Sequence, residues 1–88
     1  MKIKLITEDF KGSDYIDSTD CPLFRAMKRL SYPVHNVGGA LDPEAIDENN
    51  KIIATFDNKL WNGSIAYPLI DKADQGEEVE YELEINLV

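Results

Sequence analysis

The sequence predicts an α+β domain of four strands and two helices in the order βαββαβ, and three observations predict it. Near the C-terminus, Val79, Tyr81, Leu83, Ile85 and Leu87 alternate with Glu78, Glu80, Glu82, Glu84 and Asn86. Strict alternation is the pattern of a strand with one buried and one wet face. Between residues 21 and 30, Leu23, Ala26, Met27 and Leu30 recur at i, i+3, i+4 and i+7, the apolar stripe of a helix. The chain of 88 residues is long enough for one domain. At this length roughly 60–65% of the unfolded surface is buried, so each large apolar residue weighs heavily.

Residues 2–7 form the first predicted strand, with Ile3, Leu5 and Thr7 on one face and Lys2, Lys4 and Ile6 on the other. Glu8 to Asp20 is polar, contains Gly12 and four aspartates, and reads as a loop. Thr19 or Asp20 caps the helix that begins near Cys21, and Pro22 fits its first turn because its missing N–H has no helical partner there. Lys28 and Arg29 suit the negative end of the helix dipole, and Pro33 forbids continuation.

Val34 to Val37 is a short second strand closed by Gly38-Gly39. Ala40 to Asn50, with its Asp42-Pro43 signal and the Asp47-Glu48-Asn49-Asn50 cluster, reads as a long hairpin connection. Lys51 to Phe56 is β-branched and reads as the third strand, with a helix through Ile53, Phe56 and Leu60 as the competing reading. Asn62-Gly63 marks a turn, Ser64 caps a second helix over Ile65 to Gln75 with Pro68 in its first turn, and Gly76 ends it. The resulting order is that of the ferredoxin-like split βαβ motif, a mainly antiparallel sheet with both helices on one face. It sets the last strand beside the first, so that Lys2 and Lys4 face the glutamates of residues 78–84.

Composition removes several function classes. The chain carries 17 acidic and 9 basic side chains, a net charge of −8, with twelve of the acids after residue 36. Phosphate backbones meet a repulsive field, which disfavours direct nucleic-acid binding and leaves basic partners open. One cysteine, Cys21, makes no intramolecular disulfide, and no targeting segment is recognisable, so a reducing cytoplasm is expected. No apolar run approaches the roughly 20 residues of a membrane span. One cysteine and one histidine, His35, cannot build a zinc site.

The remaining chemical signals have plainer structural readings. Cys21 at a helix start is in a place that can activate a thiol, but nothing orients His35 as its base, and buried packing explains it. Asp14, Asp17 and Asp20 lack the order of a calcium loop and read as solvated loop carboxylates and a cap. Gly38-Gly39 lacks the spacing of a dinucleotide fingerprint. No catalytic residue, metal or cofactor is assigned, and no enzymatic activity is expected.

Two surfaces carry the binding expectations. Glu78, Glu80, Glu82 and Glu84 form an acidic face for a basic partner protein. Phe24, Arg25, Lys28 and Arg29 form a basic and aromatic patch for an anionic ligand, such as a nucleotide, held as a homo-oligomer. Trp61, Tyr67 and Tyr32 are the aromatic candidates for an interface.

Two stretches carry a resemblance. Cys21-Pro22-Leu23-Phe24-Arg25-Ala26-Met27-Lys28-Arg29 follows a strand and loop, and Leu69 to Leu83 joins an apolar helix, a turn at Gly76 and an alternating strand. Together they resemble small uncharacterised proteins encoded by bacteriophages, over about half the chain; Ala40 to Gly63 has no counterpart. The resemblance implies a viral or mobile-element accessory protein acting in a bacterial cytoplasm. The function expected is non-enzymatic: binding and inhibition of a host or defence protein through charged surfaces.

Overall fold

A computed structural model describes residues 1–38, 43–56, 60 and 63–88. The sequence expectations at Gly39, Asp42, Trp61 and Asn62, and the capping side chain of Ser64, lie outside that description. The described elements are β1 (Lys2–Ile6), α1 (Thr7–Phe10), α2 (Pro22–Arg29), β2 (Asn36–Gly38), β3 (Glu44–Ile46), β4 (Ile52–Phe56), α3 (Gly63–Asp74) and β5 (Glu80–Leu87).

The class is α+β, but the sheet has five strands in the order β1-β5-β4-β3-β2, and every pairing is antiparallel. This departs from the four-stranded ferredoxin-like arrangement with two helices. The reason is local. Glu44–Ile46, read as part of a connection, pairs on one side with β2 and on the other with β4, so β2, β3 and β4 form a meander with no parallel neighbours. The Asp47–Asn50 cluster is the turn between β3 and β4: Asp47 Oδ1 accepts the amides of Asn49 and Lys51, and Asn50 takes a φ of 62°.

Residues 52–56 are a strand, and the competing helical reading does not apply. The third helix, α1, replaces part of the expected loop. Its N-terminal amide at Ile6 donates to Asp9 Oδ2 at 2.9 Å, and Phe10 drops into the core.

β1 pairs with β5, as expected from the order of elements although the four-stranded sheet that suggested it is not present, with Lys2 opposite Glu84 and Lys4 opposite Glu82. Thr7 prolongs the pairing: its hydroxyl accepts the Val79 amide at 2.9 Å and donates to the Val79 carbonyl at 3.3 Å. Ile3, Leu5, Leu83, Ile85, Ala54, Phe56, Ala45 and Val37 are buried on one sheet face, together with Phe10, Leu23, Ala26, Met27, Ala66, Ile70 and Ala73 from the helices. The opposite face has no described helix over it. Lys2, Lys4, Glu80, Glu82, Glu84 and Asn86 stand exposed there.

Both long helices end in the same hydrogen-bonded motif. After α2, the amides of Ser31 and Tyr32 reach back to Lys28 and Met27; after α3, those of Gly76 and Glu77 reach back to Ala73 and Lys72. The left-handed position is Gly76 (φ 88°) in α3, as the sequence predicted, but Ser31 (φ 67°) in α2. This backbone turn, and not Pro33, stops α2. Pro68 lies inside α3, beyond the first turn where it was expected.

Candidate functional site

The acidic face is built by β5 and its two neighbours. Side chains directly opposite in an antiparallel pair share a face, so the register Lys2–Glu84 and Lys4–Glu82 places both lysines among the glutamates. Lys4 Nζ leans diagonally to Glu80 at 3.7 Å, and the Met1 amino group lies 2.8 Å from Glu84. That amino group, by hydrogen bond and charge, lowers the Glu84 pKa, with a smaller contribution from Lys2. Glu78 is exposed but precedes the strand. Exposed pairs of this kind add little to stability and exchange readily for other partners.

Both edges of this sheet are tied to the chain itself. Met1 and Ile85 exchange backbone hydrogen bonds, so Lys4 and Ile6 direct their peptide groups away from β5, toward the free edge of β1. There Arg29 Nη2 donates to the Lys4 carbonyl at 2.8 Å, and Asp9 accepts the Ile6 amide. At the other edge, the Val37 amide of β2 donates to the Ser18 carbonyl at 2.8 Å. These contacts occupy three of the outward peptide groups through which an added strand would dock.

The basic patch on α2 is differently disposed from its sequence reading. Arg25 binds Asp20 at 2.8 Å and also donates to the Lys11 and Gly12 carbonyls, which pins the 11–20 loop to the helix. Arg29 Nε and Nη2 reach the two oxygens of Asp9 at 3.2 and 3.0 Å. That hydrogen bond holds the Arg29 guanidinium further toward its charged form. Neither arginine is aimed at an external anion. Lys28 lies 5.7 Å from the centroid of the Phe24 ring and borders a cleft of about 350 Å³ with His35, Asp47 and Glu48. Those two carboxylates oppose an anionic ligand there.

Cys21, not Thr19 or Asp20, caps α2: its sulfur accepts the Phe24 amide at 3.3 Å. The thiol is fully buried, and burial pushes its pKa up to about 11 against the hydrogen bonds that favour the thiolate. It is a packing and capping group, not a nucleophile. Native protein at pH 8 is therefore expected to react with iodoacetamide only as fast as it opens, whereas urea-unfolded protein reacts at once; rapid native labelling would contradict this assignment. The raised pKa also means that the native state keeps a proton the unfolded state loses. The stability this provides is complete below about pH 9 and is lost as pH rises toward about 11.

The loop aspartates are turn acceptors. Asp14 Oδ1 takes the Ile16 amide, and Asp17 Oδ1 takes the amide and hydroxyl of Thr19. Among the described residues no three acids, cysteines or histidines are grouped to hold a metal ion, and no helix is long and apolar enough to cross a membrane.

Sequence reasoning singled out Tyr67 but missed the site around it. Tyr15 and Tyr67 meet edge to face, with ring centroids 4.7 Å apart at 65°, beside a cleft of about 380 Å³ lined also by Asp14, Ile70, Asp71 and Asp74. Tyr67, Asp71 and Asp74 fall on one stripe of α3, a spacing visible in the sequence; the partnership with Tyr15 is not. Tyr32 is half-buried against the core. No protein-family model, curated protein or solved structure matches this chain.

Proposed function

We propose that the chain is a non-enzymatic binding protein that presents the sheet face with no described helix over it to a basic surface of a partner protein. The observation that carries this reading is the asymmetry of the sheet. Helices cover one face and the chain's own groups bond part of each edge, while the other face holds Glu80, Glu82 and Glu84 in a line. A carboxylate row on a fixed strand gives charge complementarity with little side-chain ordering beyond that already present. The same row competes with nucleic acid for a basic site. The Cys21-Pro22 helix start and the alternating tail support a setting inside a phage-infected bacterium, where the partner is a host or defence protein.

The test is capture on the immobilised chain from bacterial lysate at low salt, run in parallel with the E80Q/E82Q/E84Q variant. Basic proteins are expected on the parent chain, released by raised salt and absent from the variant. Equal capture by both chains, or no capture at low salt, would overturn the reading. Screening of attractive charges is steep over this range because the Debye length falls from about 30 Å at 0.01 M salt to about 8 Å at 0.15 M.

A further inference from the structure

The acidic face leaves unexplained the cleft between α3 and the 11–20 loop. Its walls combine two aromatic rings with three carboxylates. Tyr67, Ile70, Asp71 and Asp74 come from one stripe of α3, and Ser13, Asp14 and Tyr15 from the loop. Two tyrosine rings set at 65° form a corner with π-faces turned at a steep angle to each other. Three carboxylates ring that corner, and among the described residues no basic side chain lines it. The volume, about 380 Å³, lies within the roughly 300–1,000 Å³ of small-ligand clefts.

The corner is held open by the chain around it. The Gly12 amide donates to Asp74 Oδ1 at 2.7 Å, which ties the loop to the helix. Gly12 has a φ of 70°, a conformation that glycine adopts without strain. Arg25 fixes the same loop from its other side through the Lys11 and Gly12 carbonyls. Tyr15 is packed against the core while Tyr67 is 55% exposed, so one ring is a fixed wall and the other a movable one. The Tyr67 phenol titrates above its ordinary value chiefly because of Tyr15 beside it, and the Asp14 and Asp71 carboxylates add to that shift.

We propose that this cleft binds an alkylammonium cation, the charged head against the Tyr15 and Tyr67 rings and the Asp14, Asp71 and Asp74 carboxylates around it. Ring faces attract cations within about 6 Å, most strongly when the cation carries little water of its own. Alkylation strips that water while keeping the charge. A bare metal ion gains far less from such walls, because it needs several oxygen ligands at short range. Ile70 supplies the apolar contact for the alkyl groups.

The test is titration of the intact chain with tetramethylammonium, followed by the ring-proton NMR signals of its tyrosines. Saturable shifts of Tyr15 and Tyr67 are expected. Affinity is expected to fall about tenfold in Tyr67→Leu, which keeps a large apolar group but removes the ring, and to fall also in Asp71→Asn. The neutral isostere neopentyl alcohol and potassium chloride are the controls. Binding of neopentyl alcohol as strong as that of tetramethylammonium, no saturable shift in the folded parent chain, or unchanged affinity in both variants would overturn the proposal. Tyr67 is exposed, so its replacement leaves the fold intact; Asp71→Asn, on the same exposed stripe, is an independent check. Capped trimethyl-lysine then distinguishes the source: tighter binding than tetramethylammonium points to a modified protein side chain, and equal binding to a free amine, both by way of the same head group.

Discussion

Replacing Phe10 by alanine is expected to remove a large share of the protein's stability. Phe10 is fully buried at the end of α1, a helix of four residues that touches α2, α3 and β1. A helix that short has no stability of its own, since nucleation costs more than one turn returns. The ring holds α1 in place by packing, and α1 in turn carries Asp9 to the edge of β1. Phe→Ala in a core costs about 3–5 kcal/mol, and a domain of 88 residues has about 4–13 kcal/mol in total. Urea unfolding followed by far-UV circular dichroism measures it. A loss below about 1.5 kcal/mol would show that the core closes over the space, which the packing of α1 against α2, α3 and β1 argues against.

Arg29→Ala is expected to cost about 3 kcal/mol, far more than a surface ion pair. Asp9 is only 3% exposed, Arg29 30%, and the guanidinium meets both carboxylate oxygens. Removing the cation leaves a buried carboxylate with, among the described residues, the Ile6 amide as its remaining hydrogen-bond donor. It also uncovers the Lys4 carbonyl at the free edge of β1. Arg29→Lys retains the charge without the two-nitrogen fork and should fall between parent and alanine. Denaturant midpoints at equal m-values give the three stabilities. If alanine and lysine variants both lie within about 0.5 kcal/mol of the parent, water replaces the guanidinium and the pair is no anchor.

How much of this was legible in the sequence depends on where each signal sits. β5, the stripe of α2 and the Gly76 end of α3 are local patterns of several residues, and each appears where the residues place it. The pairing of β5 with β1, expected from the ferredoxin-like order, is present in a five-stranded sheet of another order. Glu44-Ala45-Ile46 is too short to show alternation; only its neighbours in space make it a strand. Thr7–Phe10 offers one apolar residue and no period, so the helix exists through tertiary packing. The α2 arginines read as an open basic patch because nothing in the spacing shows that Asp9 and Asp20 reach them. Tyr15 and Tyr67 are likewise joined only by the fold.

The pairing of β1 with β5 has a consequence for synthesis. β1 has a single strand neighbour, and that neighbour is residues 80–87. At about 5–20 residues per second, the first strand waits on the order of ten seconds for its partner to be made. Throughout that interval its backbone is a template for any other extended chain. α1 and α2 follow it directly, and their Asp9 and Arg29 can cover one of its two edges long before the other is filled. The ion pair that steadies the finished sheet thus also halves the exposure of the unfinished one.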